Sequence, residues 1–178
     1  ASCEDTYYKD PIERTWALSE AINQELHDLA DAGCPVLQME EPQIHMVPVR
    51  GKAFGKLDTG DLVKVFNNTV KGLRGKTEVW CHTCWGNPSQ QRIFTDIQSY
   101  QPTLKALAQL DADAITFETC SSGPGDLKAI GEAIKDKKLD AFCWVGALPT
   151  AAVTDLGATP GIKLKLVDHS EALDAMVK

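Results

Sequence analysis

"DTGDLVKVFNNTVKGLRGKTEVWCHTCWGN", residues 58–87, holds a helix, a turn and a strand in one line. Leu62, Val65, Phe66, Val70 and Leu73 recur at helical spacing, so Asp58 to Arg74 reads as an amphipathic helix closed by Gly75. Thr77 to His82 then alternates as a strand does and runs out into a loop from Trp85 to Gln91.

The same unit repeats on either side. Upstream, Ile12, Trp16, Ile22, Leu26 and Leu29 mark a helix from Pro11 to Ala32, with Gly33 as its cap and Pro35 to Met39 as the next strand. Downstream come a helix over Gln101 to Leu110, a strand over Ala114 to Glu118 and a helix over Asp126 to Lys137. Ala141 to Val145, Ala151 to Gly157, Ile162 to Val167 and Ser170 to Val177 continue the alternation. Strands alternating with helices imply crossover connections and a parallel sheet. The expected fold class is therefore α/β, a partial or rearranged TIM (β/α) barrel, with an open doubly wound sheet as the alternative. About five strands are legible, and a complete barrel takes about 250 residues. Ile44 to Leu57 and Trp85 to Gln91 are the longest irregular stretches, each following the C-terminal end of a strand, where parallel α/β proteins place their sites.

The 178 residues, 43% of them hydrophobic, suit one packed domain. A net charge of −7 leaves no basic stripe for phosphates, which excludes a general nucleic-acid surface and an anionic membrane as partners. No apolar run approaches the roughly 20 residues of a spanning helix. The N-terminal Ala-Ser-Cys-Glu-Asp lacks a signal peptide's basic start, a lean toward a cytoplasmic protein. Of six cysteines (Cys3, Cys34, Cys81, Cys84, Cys120 and Cys143), several fall in or after strands, fitting buried thiols or metal ligands better than disulfides.

Three strand ends carry residues able to do chemistry. In Trp80-Cys-His82-Thr-Cys84-Trp, His82 and Cys84 leave the same side of the backbone, and imidazole and thiolate are preferred zinc ligands. A strand end with a buried thiol is the plainer alternative. Cys81 and Cys84 also form a Cys-x-x-Cys, although redox pairs normally open a helix and this one closes a strand. In Asp113-Ala-Ile-Thr-Phe-Glu118-Thr-Cys120, Ile115 and Phe117 face one way and Ala114, Thr116 and Glu118 the other. If the strands are neighbours, Glu118 comes within reach of His82 and Cys84, with Cys120 as a spare ligand; a solvated carboxylate is the competing reading. Glu40 and Glu41, before Pro42, are suited to bind an amine or to tune a proton transfer, or are surface charges at a turn. His45 follows that segment and is a candidate for the same pocket. His27 reads as solvated, His169 as a capping-region residue, and Cys143 as a small core hydrophobe.

"LQMEEPQIH", "CHTCWGN" and "DADAITFETCSS" resemble, in that order, the C-terminal catalytic barrel of cobalamin-independent methionine synthases over residues 4–138. The resemblance implies a zinc ion held by His82, Cys84 and Glu118, with a later cysteine as fourth ligand. It places Glu40 against the amino group of homocysteine, where the larger synthases have Asp. The implied activity moves a methyl group from a methyltetrahydrofolate-type donor to a thiol such as homocysteine, giving methionine, with zinc lowering the thiol pKa. The early barrel strands find no counterpart before Ala1, so open sheet edges and self-association are expected. Residues 139–169, "LDAFCWVGALPTAAVTDLGATPGIKLKLVDH", instead resemble TAXI-type solute receptors of TRAP transporters. That divides a single α/β domain into a synthase-like part (1–138) and a receptor-like tail (139–178). It leaves Cys120 or Cys143 to replace the family's last cysteine, and it leaves two alternatives open: a small-organic-anion binding protein, or an inactive fusion with relic zinc ligands.

Overall fold

Asp10, extended, accepts a hydrogen bond from Ile12 N at 3.1 Å, and Pro11 occupies the first helical position, so α1 (Pro11–Asp31) starts where both features favour it. It ends in a Schellman turn. Gly33 takes φ +90°, its N–H reaches Ala30 O, and Cys34 N reaches Leu29 O. That turn delivers the chain into β1 (Val36–Glu40). The computed structural model describes residues 5–41, 43–50, 57–85 and 99–118, together with Asp126, Ala129, Ile130, Glu132, Thr154, Gly157, Ala158 and Pro160.

After β1 come α2 (Gln43–Arg50), α3 (Thr59–Thr69), β2 (Glu78–Thr83), a 3-10 turn over Gln101–Thr103 running into α4 (Leu104–Leu107), and β3 (Ala114–Phe117). The three strands form one parallel sheet in the order β1-β2-β3. The α/β class and parallel sheet are as expected, and the arrangement is that of a partial barrel. Leu37 pairs with Val79, Cys81 with both Met39 and Ile115, and Thr83 with Phe117. These side chains face the helices and join Leu26, Val63, Phe66, Val70, Leu73 and Leu107 in one core. Val36, Gln38, Glu40, Trp80, His82, Ala114 and Thr116 line the other, more open face.

Three expectations need correction. Ile44 to Leu57 is not wholly irregular, because its first part is α2, with Ile44, His45 and Met46 buried. Glu41 makes that helix possible, its Oε1 accepting from Gln43 N at 2.8 Å and Ile44 N at 3.2 Å. The helix expected to reach Arg74 ends at Thr69; Val70 and Leu73 keep their burial within a turn where Gly72 takes φ +78°. The helix expected over Gln101 to Leu110 is a 3-10 turn and one short α-helical segment. The division at 138/139 and the elements drawn from Ala141 onward lie outside the described residues, apart from the few named.

Candidate functional site

Parallel pairing puts the C-terminal ends of all three strands side by side, and the residues singled out by sequence stand there. Glu40 pairs in register with His82, and His82 with Thr116. Thr116 Oγ1 lies 2.7 Å from His82 Nδ1, a hydrogen bond that fixes the ring and leaves Nε2 turned toward Glu40. His82 Nε2 and Glu40 Oε2 are 4.0 Å apart, an ion pair only if the imidazole is protonated. Gln38 Nε2 donates to Glu40 Oε1 at 3.2 Å, and the Glu40 side chain is otherwise 60% exposed.

Glu41 points elsewhere. Its carboxylate caps α2, and burial raises its pKa above the usual carboxylate value against the pull of the two backbone N–H groups. Cys84 and Glu118 each follow the end of their strand directly. Glu118 N donates to Thr83 O at 3.0 Å, and Thr83 Oγ1 donates to Thr116 O at 3.0 Å. Sequence order thus brings His82, Cys84 and Glu118 to one end of two neighbouring strands. Among the described residues, no three His, Cys, Asp or Glu side chains are grouped closely enough to hold a metal ion. Cys120 and Cys143 lie outside the described residues.

Cys81 separates from its neighbours by strand alternation. It is wholly buried on the helix face, and burial, with the nearby charges of Glu41 and Glu40, pushes its thiol up to about 12. A thiol held protonated in that way is a poor partner for a redox pair with Cys84. His27, expected in solvent, lies 3.0 Å from Lys71 O through Nε2.

Behind the strand ends lies a buried aromatic cluster. His45 stacks edge-on against Trp85, with centroids 4.6 Å apart, and Tyr100 touches both and meets Phe117 edge-on. His45 Nε2 lies 3.1 Å from Cys84 O, and a carbonyl only accepts, so Nε2 carries the proton. Desolvation lowers the His45 pKa to about 4 and keeps the ring neutral. Tyr100 Oη sits 3.1 Å from Thr83 O and 3.0 Å from Glu118 O, bridging the ends of β2 and β3, while burial raises its pKa. Sequence reasoning had reached His45 by its position. Tyr100 it missed, since a single aromatic ahead of a short helix has no periodic partner. Thr116 was legible as a residue sharing the Glu118 face.

Residues 3–146 match the family described as the cobalamin-independent synthase catalytic domain. The chain is 35% identical over 106 residues to a 5-methyltetrahydropteroyltriglutamate–homocysteine methyltransferase of Nitrosomonas europaea, covering 59% of this chain and 12% of that protein. It is 32% identical over 83 residues to a methionine synthase of Saccharolobus solfataricus, and likewise to one of Saccharolobus islandicus, covering 47% of this chain and 22% of each. The chain therefore spans about an eighth to a fifth of these relatives. The family match continues beyond residue 138, where a change of resemblance was expected, and neither it nor these relatives supports the solute-receptor likeness of the tail. With three strand-end motifs in family order and a match over 144 of 178 residues, this chain belongs to the family of the cobalamin-independent synthase catalytic domain.

Proposed function

We propose that this chain supplies the thiol-activating part of a zinc-dependent methyltransferase, moving a methyl group from a methyltetrahydrofolate-type donor to homocysteine or a related thiol. The observation that supports this best is the row Glu40–His82–Thr116 across the strand ends. A metal-bound histidine needs its second nitrogen engaged by an oxygen, which fixes ring orientation. Thr116 does this at Nδ1, leaving Nε2 for a metal. Imidazole, thiolate and carboxylate are the donors zinc takes, so the set fits the ion in chemistry.

His82, Cys84 and Glu118 would hold zinc, with Cys120, or failing it Cys143, as the remaining cysteine. When bound, zinc stabilises the thiolate form of the acceptor at neutral pH. Glu40, exposed beside His82, would take the ammonium group of an amino-acid acceptor, and Gln38 holds one of its oxygens in place. Glu41 would support that carboxylate indirectly, by anchoring α2 behind it. In the transfer, the acceptor sulfur forms a bond to the methyl carbon, the donor's nitrogen–carbon bond breaks, and the donor nitrogen takes a proton. β1 and β3 each have an edge unpaired among the described residues. Association with a second copy through those edges belongs to the same proposal, as does a reducing, cytoplasmic setting that keeps the ligand thiols free.

Zinc stoichiometry on protein purified without chelator tests the reading. About one zinc per chain is expected, lost in His82→Ala and in Cys84→Ser. A parent protein with no zinc overturns it.

A further inference from the structure

We propose that Tyr100 and His45 are positioning residues that clamp the backbone at the strand ends and so set the spacing between the main chains of the Cys84 and Glu118 segments. This rests on the reading of those residues as metal donors. Tyr100 Oη has one proton for two carbonyls, Thr83 O at 3.1 Å and Glu118 O at 3.0 Å. The first belongs to the residue before Cys84, the second to Glu118 itself. His45 Nε2–H takes the next carbonyl along, Cys84 O, at 3.1 Å. Three carbonyls on two strand ends are thus gathered by two side chains that touch one another, with ring centroids 4.9 Å apart.

The clamp is itself held from behind. Tyr100 N donates to Asp126 Oδ2 at 2.9 Å, and Ser99 Oγ donates to Oδ1 of the same buried carboxylate. Phe117 packs against the Tyr100 ring and Trp85 against both rings, and water has no access to either. A wholly buried imidazole whose Nδ1 has no hydrogen-bond partner among the described residues is costly to keep. A buried hydroxyl divided between two carbonyls adds little packing that phenylalanine would lack. Holding the backbones that carry the donors at fixed separation accounts for both.

The test measures zinc affinity by competition with a chromogenic chelator, and the absorption bands of the cobalt(II)-substituted protein, on the full chain. Tyr100→Phe keeps the ring and removes the bridge; it is expected to weaken zinc binding about 10–100-fold, the usual effect of losing a residue that orients a ligand, and to shift the cobalt bands. His45→Phe should do the same, while His45→Gln, which keeps an N–H near the Cys84 carbonyl, should restore most of the affinity and the parent spectrum. Asp113→Asn, at the opposite end of the sheet, controls for general loosening and should leave zinc binding unchanged. Should Tyr100→Phe fail to fold, the His45 pair decides alone. Parent-like affinity and spectra in Tyr100→Phe and His45→Phe, or equal losses in Asp113→Asn, would overturn the clamp and leave the metal reading standing. Absence of zinc in the parent would overturn both.

Discussion

The two ends of the sheet join β2 to β3 by opposite means. At the N-terminal end, Arg74 bridges Asp111 at 3.3 Å and Asp113 at 3.0 Å, and Asp113 Oδ2 also accepts from Val79 N at 2.9 Å. The Arg74 side chain is half exposed, so these charges act in water and through counter-ions. At the C-terminal end the join is made by a neutral group in a dry cluster, the phenol of Tyr100 on carbonyls of both strands, with the imidazole of His45 holding the carbonyl next to it after β2. The chemical difference suits the zinc site proposed for the C-terminal end. A lysine or arginine beside His82, Cys84 and Glu118 would repel a cation and compete for its donors, whereas a phenol and a neutral imidazole do neither. Buried hydrogen bonds also hold position better than exposed ion pairs, whose long side chains retain their freedom.

The largest effect that would break this comparison is removal of the buried join. Tyr100→Ala takes away a wholly buried ring and should cost about 3–5 kcal/mol in urea unfolding, as truncated core aromatics do. A cost near that of a surface substitution would mean that the cluster does not hold the strand ends. Next comes pH. The unfolded His45 imidazole has its pKa near 6.5 and the buried one about 4, so between those values the unfolded state binds the extra proton. Stability should fall as the pH drops from 6.5 toward 4, by roughly 3 kcal/mol, and level off below. His45→Gln should remove that part of the slope, and an unchanged slope would trace it to another group. The smallest effect is at the other end. Arg74→Ala should lower the melting temperature slightly at low salt and not at all near 1 M salt, where such pairs are screened. A salt-independent loss would mean that this end, too, is effectively buried.

The sequence made the strands and their ends legible because alternation and helical spacing are strong where a face is buried. Glu40, His82 and Glu118 fall at the ends of β1, β2 and β3 as read, and parallel pairing did the rest. α2 escaped because its buried residues, Ile44, His45 and Met46, are consecutive and show no helical period, while Pro48 reads as a breaker. The end of α3 was misjudged because Val70 and Leu73 stay on the apolar spacing after the backbone has left the helix. Glu41 looked like half of a substrate-binding pair; only the backbone of Gln43 and Ile44, invisible as pattern, gives it a capping role. Tyr100 was unreadable for a similar reason, since its partners are carbonyls, which every residue has.

The strand order β1-β2-β3 is also the order of synthesis. β2 and β3 each pair with the strand made just before, so the sheet can grow as the chain emerges, without waiting for a distant segment. Tyr100 lies 17 residues beyond Thr83 and 18 before Glu118, midway along the crossover from β2 to β3, and the second of its carbonyls, Glu118 O, is not in place until β3 has docked. The spacing of the Cys84 and Glu118 segments is therefore settled late, and on the zinc-binding role proposed above a metal ion present during folding would meet both of them only once this crossover has closed.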